Sequence, residues 1–183
     1  MPVKRFIHIT YFVRRSAVFG LSVFLLAACS SSRKGNHETG GKADASLQKK
    51  YAGILEVSPK DVTNAMLYSF VDKWMNTAYS YGGQSEKGID CSGFTQKLYD
   101  AVYKKKLPRT SDAQYKSLGR HHTKKQLEEG DLVFFTTISG KKISHVGVYL
   151  QNDRFVNATN SGVAISDMNT KYWAERYVGG GSP

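Results

Sequence analysis

The chain has 183 residues, with 26 Lys and Arg against 15 Asp and Glu, a formal net charge of +11, and two cysteines. That length suits a single domain with a real hydrophobic core and leaves no room for a second one. No internal repeat is visible, which excludes a solenoid or an array.

The first 29 residues define a leader. Lys4, Arg5, Arg14 and Arg15 form a positive start, and no acidic residue precedes Glu38. Ala17 to Ala28 is an apolar run of about a dozen residues, too short to span a bilayer comfortably and typical of an export signal. It ends Leu26-Ala27-Ala28-Cys29, which resembles the lipobox of bacterial lipoproteins. The resemblance implies lipidation of Cys29 after removal of residues 1–28. Ser30 resembles the residue that sends such proteins to the outer membrane, facing the periplasm. The alternative is an ordinary export signal with Cys29 incidental.

Removing the four basic residues of the leader leaves 22 against 15, a net of +7. For an exported chain this charge points to anionic wall polymers and lipid head groups, not to nucleic acid. Residues 29–57 are rich in Ser, Gly, Lys and Asn, lack apolar periodicity, and read as a flexible tether with a typical reach of roughly 30 Å. The folded domain is expected over 58–183.

Ser58-Pro59 has the form of an N-cap and first helical residue. Val62, Met66, Phe70 and Trp74 recur every four residues and predict a helix to about Thr77 with a buried aromatic stripe. Tyr81-Gly82-Gly83 and Gly88-Ile89-Asp90 then supply turns and a cap. Phe94, Leu98, Ala101 and Val102 fit one buried face of a helix running from Cys91 to about Lys105. After Leu107-Pro108-Arg109-Thr110 breaks the chain, Ser111 or Asp112 caps a short helix through Leu118. From Gly130 the period becomes that of strands: Asp131 to Phe135, His145 to Leu150, Arg154 to Ala158 and Val163 to Ser166 predict an antiparallel meander. Helices first and sheet afterwards means α+β.

Cys91 opens its helix among unpaired N–H groups and the positive end of the helix dipole, both of which favour a thiolate. A small buried core residue is the bland reading; the flanking glycines and polar neighbours argue for an exposed thiol. If Cys29 carries lipid, Cys91 has no disulfide partner, and an unpaired thiol in an oxidising compartment is a liability unless it is used.

A nucleophile needs a base, and the base an orienting partner. His8 lies in the leader and His37 in the tether; His121 and His122 fall in a polar loop that suits solvent exposure. His145 starts a strand and shares a face with Gly147 and Tyr149. A hairpin through Gln151-Asn152-Asp153 puts Asn157 beside that face, with Gly147 leaving room for close approach. The order Cys91, His145, Asn157 follows Cys-His-Asn logic. No CxxC or HExxH spacing exists, so neither metal nor cofactor is expected.

Tyr79-Ser80-Tyr81-Gly82-Gly83, Gly88-Ile89-Asp90-Cys91-Ser92-Gly93-Phe94, Leu107-Pro108-Arg109-Thr110, Gly130-Asp131-Leu132-Val133 and His145-Val146-Gly147-Val148-Tyr149 resemble, in order, the NlpC family of cell-wall cysteine peptidases. With Ser166-Asp167-Met168-Asn169 and Tyr172-Trp173, the resemblance is closest to its Spr-type lipoproteins and covers about residues 62 to 178. It implies a circularly permuted papain-like fold that hydrolyses peptidoglycan stem peptides. Carried over residue by residue, it implies Cys91 as nucleophile, His145 as base, and Tyr79 as support for the thiolate and oxyanion. The third position is Asn157, where Spr-type members usually have histidine. Asp90 and Ser92 would line the substrate cleft, with helix capping as the alternative for Asp90.

The function that follows is a monomeric, lipid-anchored endopeptidase of the cell envelope, acting preferentially on the D-Ala–diaminopimelate cross-link. The alternatives are cleavage of the D-Glu–diaminopimelate bond, a non-catalytic wall-binding lipoprotein, and an acyltransferase using the same thiol.

Overall fold

The computed structural model describes residues 44–138 and 142–183; the leader, Cys29, His8, His37 and residues 29–43 of the expected tether lie outside the described residues. The remainder of that tether is not free chain. Residues 45–55 form helix α1 (Ala45–Leu55), capped by Asp44, whose Oδ1 accepts from the Ser46 and Leu47 amides. Tyr51 and Leu55 are fully buried. Burial of two such side chains contributes roughly 1.5–3 kcal/mol each, which holds this Lys-flanked helix on the core.

The helix expected over residues 58–77 is split. Ser58 and Pro59 open only a 3-10 turn, Pro59–Asp61, and α2 (Ala65–Trp74) starts later, with Asn64 Oδ1 accepting from the Leu67 amide at 3.1 Å. Its buried side chains are Leu67, Tyr68, Val71 and Trp74, whereas Met66 is 40% exposed. Val62 and Trp74 of the every-four series are buried and Phe70 packs against the core, while Met66 turns outward because four residues overshoot one 3.6-residue turn, drifting about 40° per step.

A small hairpin, β1 (Gln84–Ser85) with β2 (Gly88–Ile89), leads into α3 (Cys91–Tyr103). Phe94 and Leu98 of α3 are fully buried, as its periodicity required, and Lys104 ends the helix in the left-handed region at φ 54°. α4 (Ser111–Lys116) is capped by the Thr110 hydroxyl, which accepts from the Ala113 amide at 3.3 Å.

The rest is one antiparallel sheet. Its strands are β3 (Arg120–His122), β4 (Leu132–Phe135), β5 (His145–Tyr149), β6 (Arg154–Thr159), β7 (Gly162–Asp167) and β8 (Tyr177–Ser182), with short helix α5 (Lys171–Ala174) before the last. Spatial order is β3-β8-β4-β5-β6-β7. The β4–β7 meander matches the sequence pattern; β3 and β8 extend the sheet beyond it. The α+β architecture stands.

Alternation along the strands gives the sheet two apolar faces. Leu132, Phe134, Val146, Val148, Val156 and Ala158 face the helices and join the main core. Val133, Phe135, Phe155 and Met168 form a second cluster under Tyr149, Trp173 and Tyr177. His122 is not a solvent-exposed loop residue: β3 holds it with its Nδ1 2.7 Å from Asp131 Oδ2, the pair being 11% and 1% exposed. No described helix is long and apolar enough to cross a membrane.

Candidate active site

The start of α3 is organised by one carboxylate. Asp90 is the N-cap, and its Oδ1 accepts from the Gly93 amide at 2.6 Å. The Gly82 amide donates to Oδ2 at 3.0 Å, which ties the preceding turn to the same group. Arg109 then closes a fork, with Nη1 3.0 Å from Oδ1 and Nη2 2.6 Å from Oδ2. Ser92 Oγ donates to Asp90 Oδ1 at 3.3 Å and accepts from Arg109 Nη1 at 2.8 Å. Burial pushes the Asp90 carboxyl up, but the Arg109 and amide hydrogen bonds outweigh it and hold the group below its ordinary range. Both Asp90 oxygens are engaged inside the protein, so capping and pairing are its observed roles. Arg109 belongs to the Leu107-Pro108-Arg109-Thr110 motif of the resemblance, which assigned it no role; the pairing links positions 19 residues apart.

Cys91 follows, and it is buried, 7% exposed. This corrects the expectation of an exposed thiol: the backbone at the start of β5 reaches the sulfur through the Val146 amide. Burial raises the thiol above its usual value, and the Asp90 charge adds to that, while the amides of Val146, Ser92 and Cys91 itself pull it back down. Burial wins. Burial thus favours the neutral thiol over the thiolate that the helix dipole alone favours. The Val146 amide that reaches the sulfur is the next peptide unit after His145, so the start of α3 and the start of β5 meet at this point.

His145 is 8% exposed, and its Nε2 lies 2.9 Å from Asn157 Oδ1. The amide orientation is fixed by its other end: Nδ2 donates to Ser166 Oγ at 2.9 Å and to the Ala164 carbonyl at 3.3 Å. Oδ1 therefore accepts, Nε2 carries the proton, and Nδ1 keeps its lone pair. Burial lowers the imidazole from 6.5 to about 4, against a smaller upward effect of the Asn157 hydrogen bond. The hairpin places the pair as anticipated, with Val148 opposite Val156 and Tyr149 opposite Phe155. Gly147 makes the close approach possible: a Cβ there would lie 2.6 Å from Phe155 Cδ2, 2.7 Å from the Val156 carbonyl and 3.1 Å from Asn157 Cβ.

Tyr79 is set beside this junction by a bridge to Ile89, two residues before the thiol. Burial raises its phenol, and negative charge at Cys91 or Asp90 raises it further, so it stays protonated and able to donate. Trp173, seen in the sequence only as part of a resemblance, stacks on His145 with ring centroids 5.2 Å apart and planes 30° from parallel. Among the described residues no cluster of His, Cys, Asp and Glu could hold a metal ion.

The helix that opens with Cys91 and the strand that carries the amide-held His145 thus meet through the Val146 amide. The family model of NlpC/P60 matches residues 76–182, more than half of the chain, and the protein belongs to the NlpC/P60 family. It is similar to the "Probable endopeptidase NlpC homolog" of Haemophilus influenzae, 35% identical over 176 residues, 88% of this chain and 93% of the relative. It is also similar to the "Murein DD-endopeptidase MepS/Murein LD-carboxypeptidase" of Escherichia coli, 37% identical over 174 residues, 91% of this chain and 90% of the relative. Among solved structures, an NlpC/P60 family protein from Bacillus cereus gives a TM-score of 0.58 at 30% identity, over 63% of this chain but only 38% of that one.

Proposed function

We propose that the protein is a peptidoglycan hydrolase, a cysteine endopeptidase that cuts stem peptides and prefers the D-Ala–diaminopimelate cross-link. The observation that carries the chemistry is the held imidazole: Asn157 takes Nε2–H at 2.9 Å and leaves Nδ1 as the base, with the neighbouring amide on the Cys91 sulfur. The preference for the cross-link is supported by the murein DD-endopeptidase named among the relatives.

Burial favours the neutral form of both thiol and imidazole, so in this reading charge arises as the reaction proceeds. Nδ1 of His145 takes the thiol proton while sulfur attacks the scissile carbonyl. The oxyanion forms near the Cys91 backbone N–H at the helix start, where the Tyr79 hydroxyl also donates. The imidazolium returns its proton to the leaving amine, and water, deprotonated by the same Nδ1, clears the acyl-enzyme. Asn157 contributes orientation without charge.

Lipidation of Cys29 and placement at the outer membrane, facing the periplasm, complete the proposal and rest on Leu26-Ala27-Ala28-Cys29. Mass spectrometry of defined muropeptides after incubation with the purified protein tests the reaction. Cross-linked dimers should fall to monomers with wild type and stay intact with Cys91→Ala. Conversion of dimers at the wild-type rate by Cys91→Ala would refute the mechanism. Release of disaccharide dipeptides with dimers untouched would assign the D-Glu–diaminopimelate bond instead. Unchanged detergent partitioning of Cys29→Ala would reject the anchor.

A further inference from the structure

The second apolar face of the sheet carries the His145 ring. Phe135 lies 6.2 Å away on β4 at an interplanar angle of 53°, and Trp173 stacks at 5.2 Å. Trp173 is itself packed on Phe135 at 4.8 Å and Phe155 at 5.1 Å, so its indole closes over the sheet where the histidine sits.

This roof stands on a helix of only four residues, yet it is clamped. Tyr172 meets the indole edge-on at 4.8 Å, and the Arg176 guanidinium lies 4.2 Å over the Tyr172 ring while its Nη1 donates to the Tyr172 carbonyl at 3.0 Å. The Arg176 carbonyl accepts from the Thr136 amide at 2.9 Å, fastening the segment to the end of β4.

We propose that Trp173 is a positioning residue for the reaction, an aromatic roof that holds the His145 ring in plane for Nδ1 transfer and keeps water off its hydrogen bond to Asn157. The proposal rests on His145 being the general base. An imidazole held by one hydrogen bond still rotates about that contact; a stacked indole removes the rotation, and a small error in ring placement is costly in rate.

Two physical effects of the roof oppose each other. Covering the ring with apolar surface disfavours imidazolium, while the indole face attracts a cation by roughly 0.5–2 kcal/mol. The groups that face the ring are the Asn157 amide from β6, Phe135 from β4, Trp173 from α5 and, across the Val146 amide, the Cys91 thiol from α3 with Asp90 behind it. The charges nearest on the α5 segment, Lys171, Glu175 and Arg176, pair with one another. With no carboxylate bonded to His145 among the described residues, burial dominates its low value of about 4.

The test is an NMR pH titration of the His145 ring in the full chain, alongside kinetics on a cross-linked muropeptide, for wild type, Trp173→Ala and Trp173→Phe. In Trp173→Ala the His145 midpoint should rise by a unit or more toward 6.5, and kcat should fall roughly 10- to 100-fold with KM changed less than about threefold. Trp173→Phe keeps a stacking ring and should recover most of both. An unmoved or lowered His145 midpoint in Trp173→Ala overturns the proposal, as does a loss confined to KM, which would make the indole a substrate wall. The titration needs no turnover, so it stands even if the wild-type protein cleaves no muropeptide.

Discussion

Asp90 and Arg109 meet in a two-point fork, 3.0 and 2.6 Å, directly beneath the first turn of the helix that carries Cys91. The same carboxylate pins the Gly82 amide and the Gly93 amide, so one charge fixes the turn, the helix start and the arginine together. Arg109→Ala should lower stability by about 2 kcal/mol, less than for a fully buried pair because the arginine side chain is 35% exposed. Arg109→Lys keeps the charge but not the fork and should recover only part of it. Urea denaturation checks this. Because the Asp90 carboxyl is held below its ordinary value, its stabilisation is complete above that value and disappears as pH falls through the folded one. Acid unfolding of Arg109→Ala should therefore begin at higher pH than in wild type.

A neutral thiol at rest has its own signature. Its value is raised by burial, so the fold disfavours thiolate, and the contribution of Cys91 to stability is intact below the ordinary thiol value and lost as pH climbs above it. Iodoacetamide should alkylate Cys91 slowly at pH 6 to 8, with a rate that is still rising beyond pH 9. A flat, fast rate between pH 5 and 8 would indicate a preformed thiolate–imidazolium pair.

Asn157→Ala should lower kcat by roughly ten- to a thousandfold, the range of orienting effects, and leave KM nearly unchanged. Ser166→Ala removes one of the two anchors of the Asn157 amide and should cost only about two- to tenfold, the worth of one ordinary hydrogen bond. Asn157→His should retain substantial activity, with Ser166 available to the second ring nitrogen. Steady-state kinetics on a single muropeptide separates these, and full activity of Asn157→Ala would remove Asn157 from the machinery.

Gly147→Ala tests the strand approach. The added Cβ would force Phe155 and the β6 backbone outward, with an expected loss of about 1–3 kcal/mol in stability. The same displacement lengthens the His145–Asn157 hydrogen bond, so activity should drop further than stability explains. Thermal melting and kcat measured side by side give the comparison.

Much of this was readable before the structure. Cys91, His145 and Asn157 each sit in a pattern with a local cause, and β4–β7 follow from alternating apolar residues between turn formers. The parts that escaped depend on long-range contacts. β8 reads as a loop because Tyr177-Val178-Gly179-Gly180-Gly181-Ser182 is glycine-rich; the glycine at 181 is required, since φ is 152° and a Cβ would fall 1.9 Å from the Arg120 carbonyl. β3 is legible only once β8 exists to pair with it, and with β3 comes the His122–Asp131 contact. α1 had a signal, Leu47, Tyr51, Ala52 and Leu55 behind an Asp44 cap, but Lys and Ser around it masked the spacing. The burial of Cys91 has no sequence signature, because the cover comes from a strand more than fifty residues away.

Helix α1 also changes how far the protein can act. If Cys29 is the membrane anchor, fourteen residues lie between it and the Asp44 cap, and at full extension that stretch reaches roughly 50 Å. That length is a hard leash. Only bonds within it, plus the width of the domain, are open to attack from one anchoring point, and each residue inserted before position 44 lengthens the leash by at most about 3.6 Å. Working depth in the wall is thus a property of the stretch ahead of α1, adjustable without touching a single group in the catalytic domain.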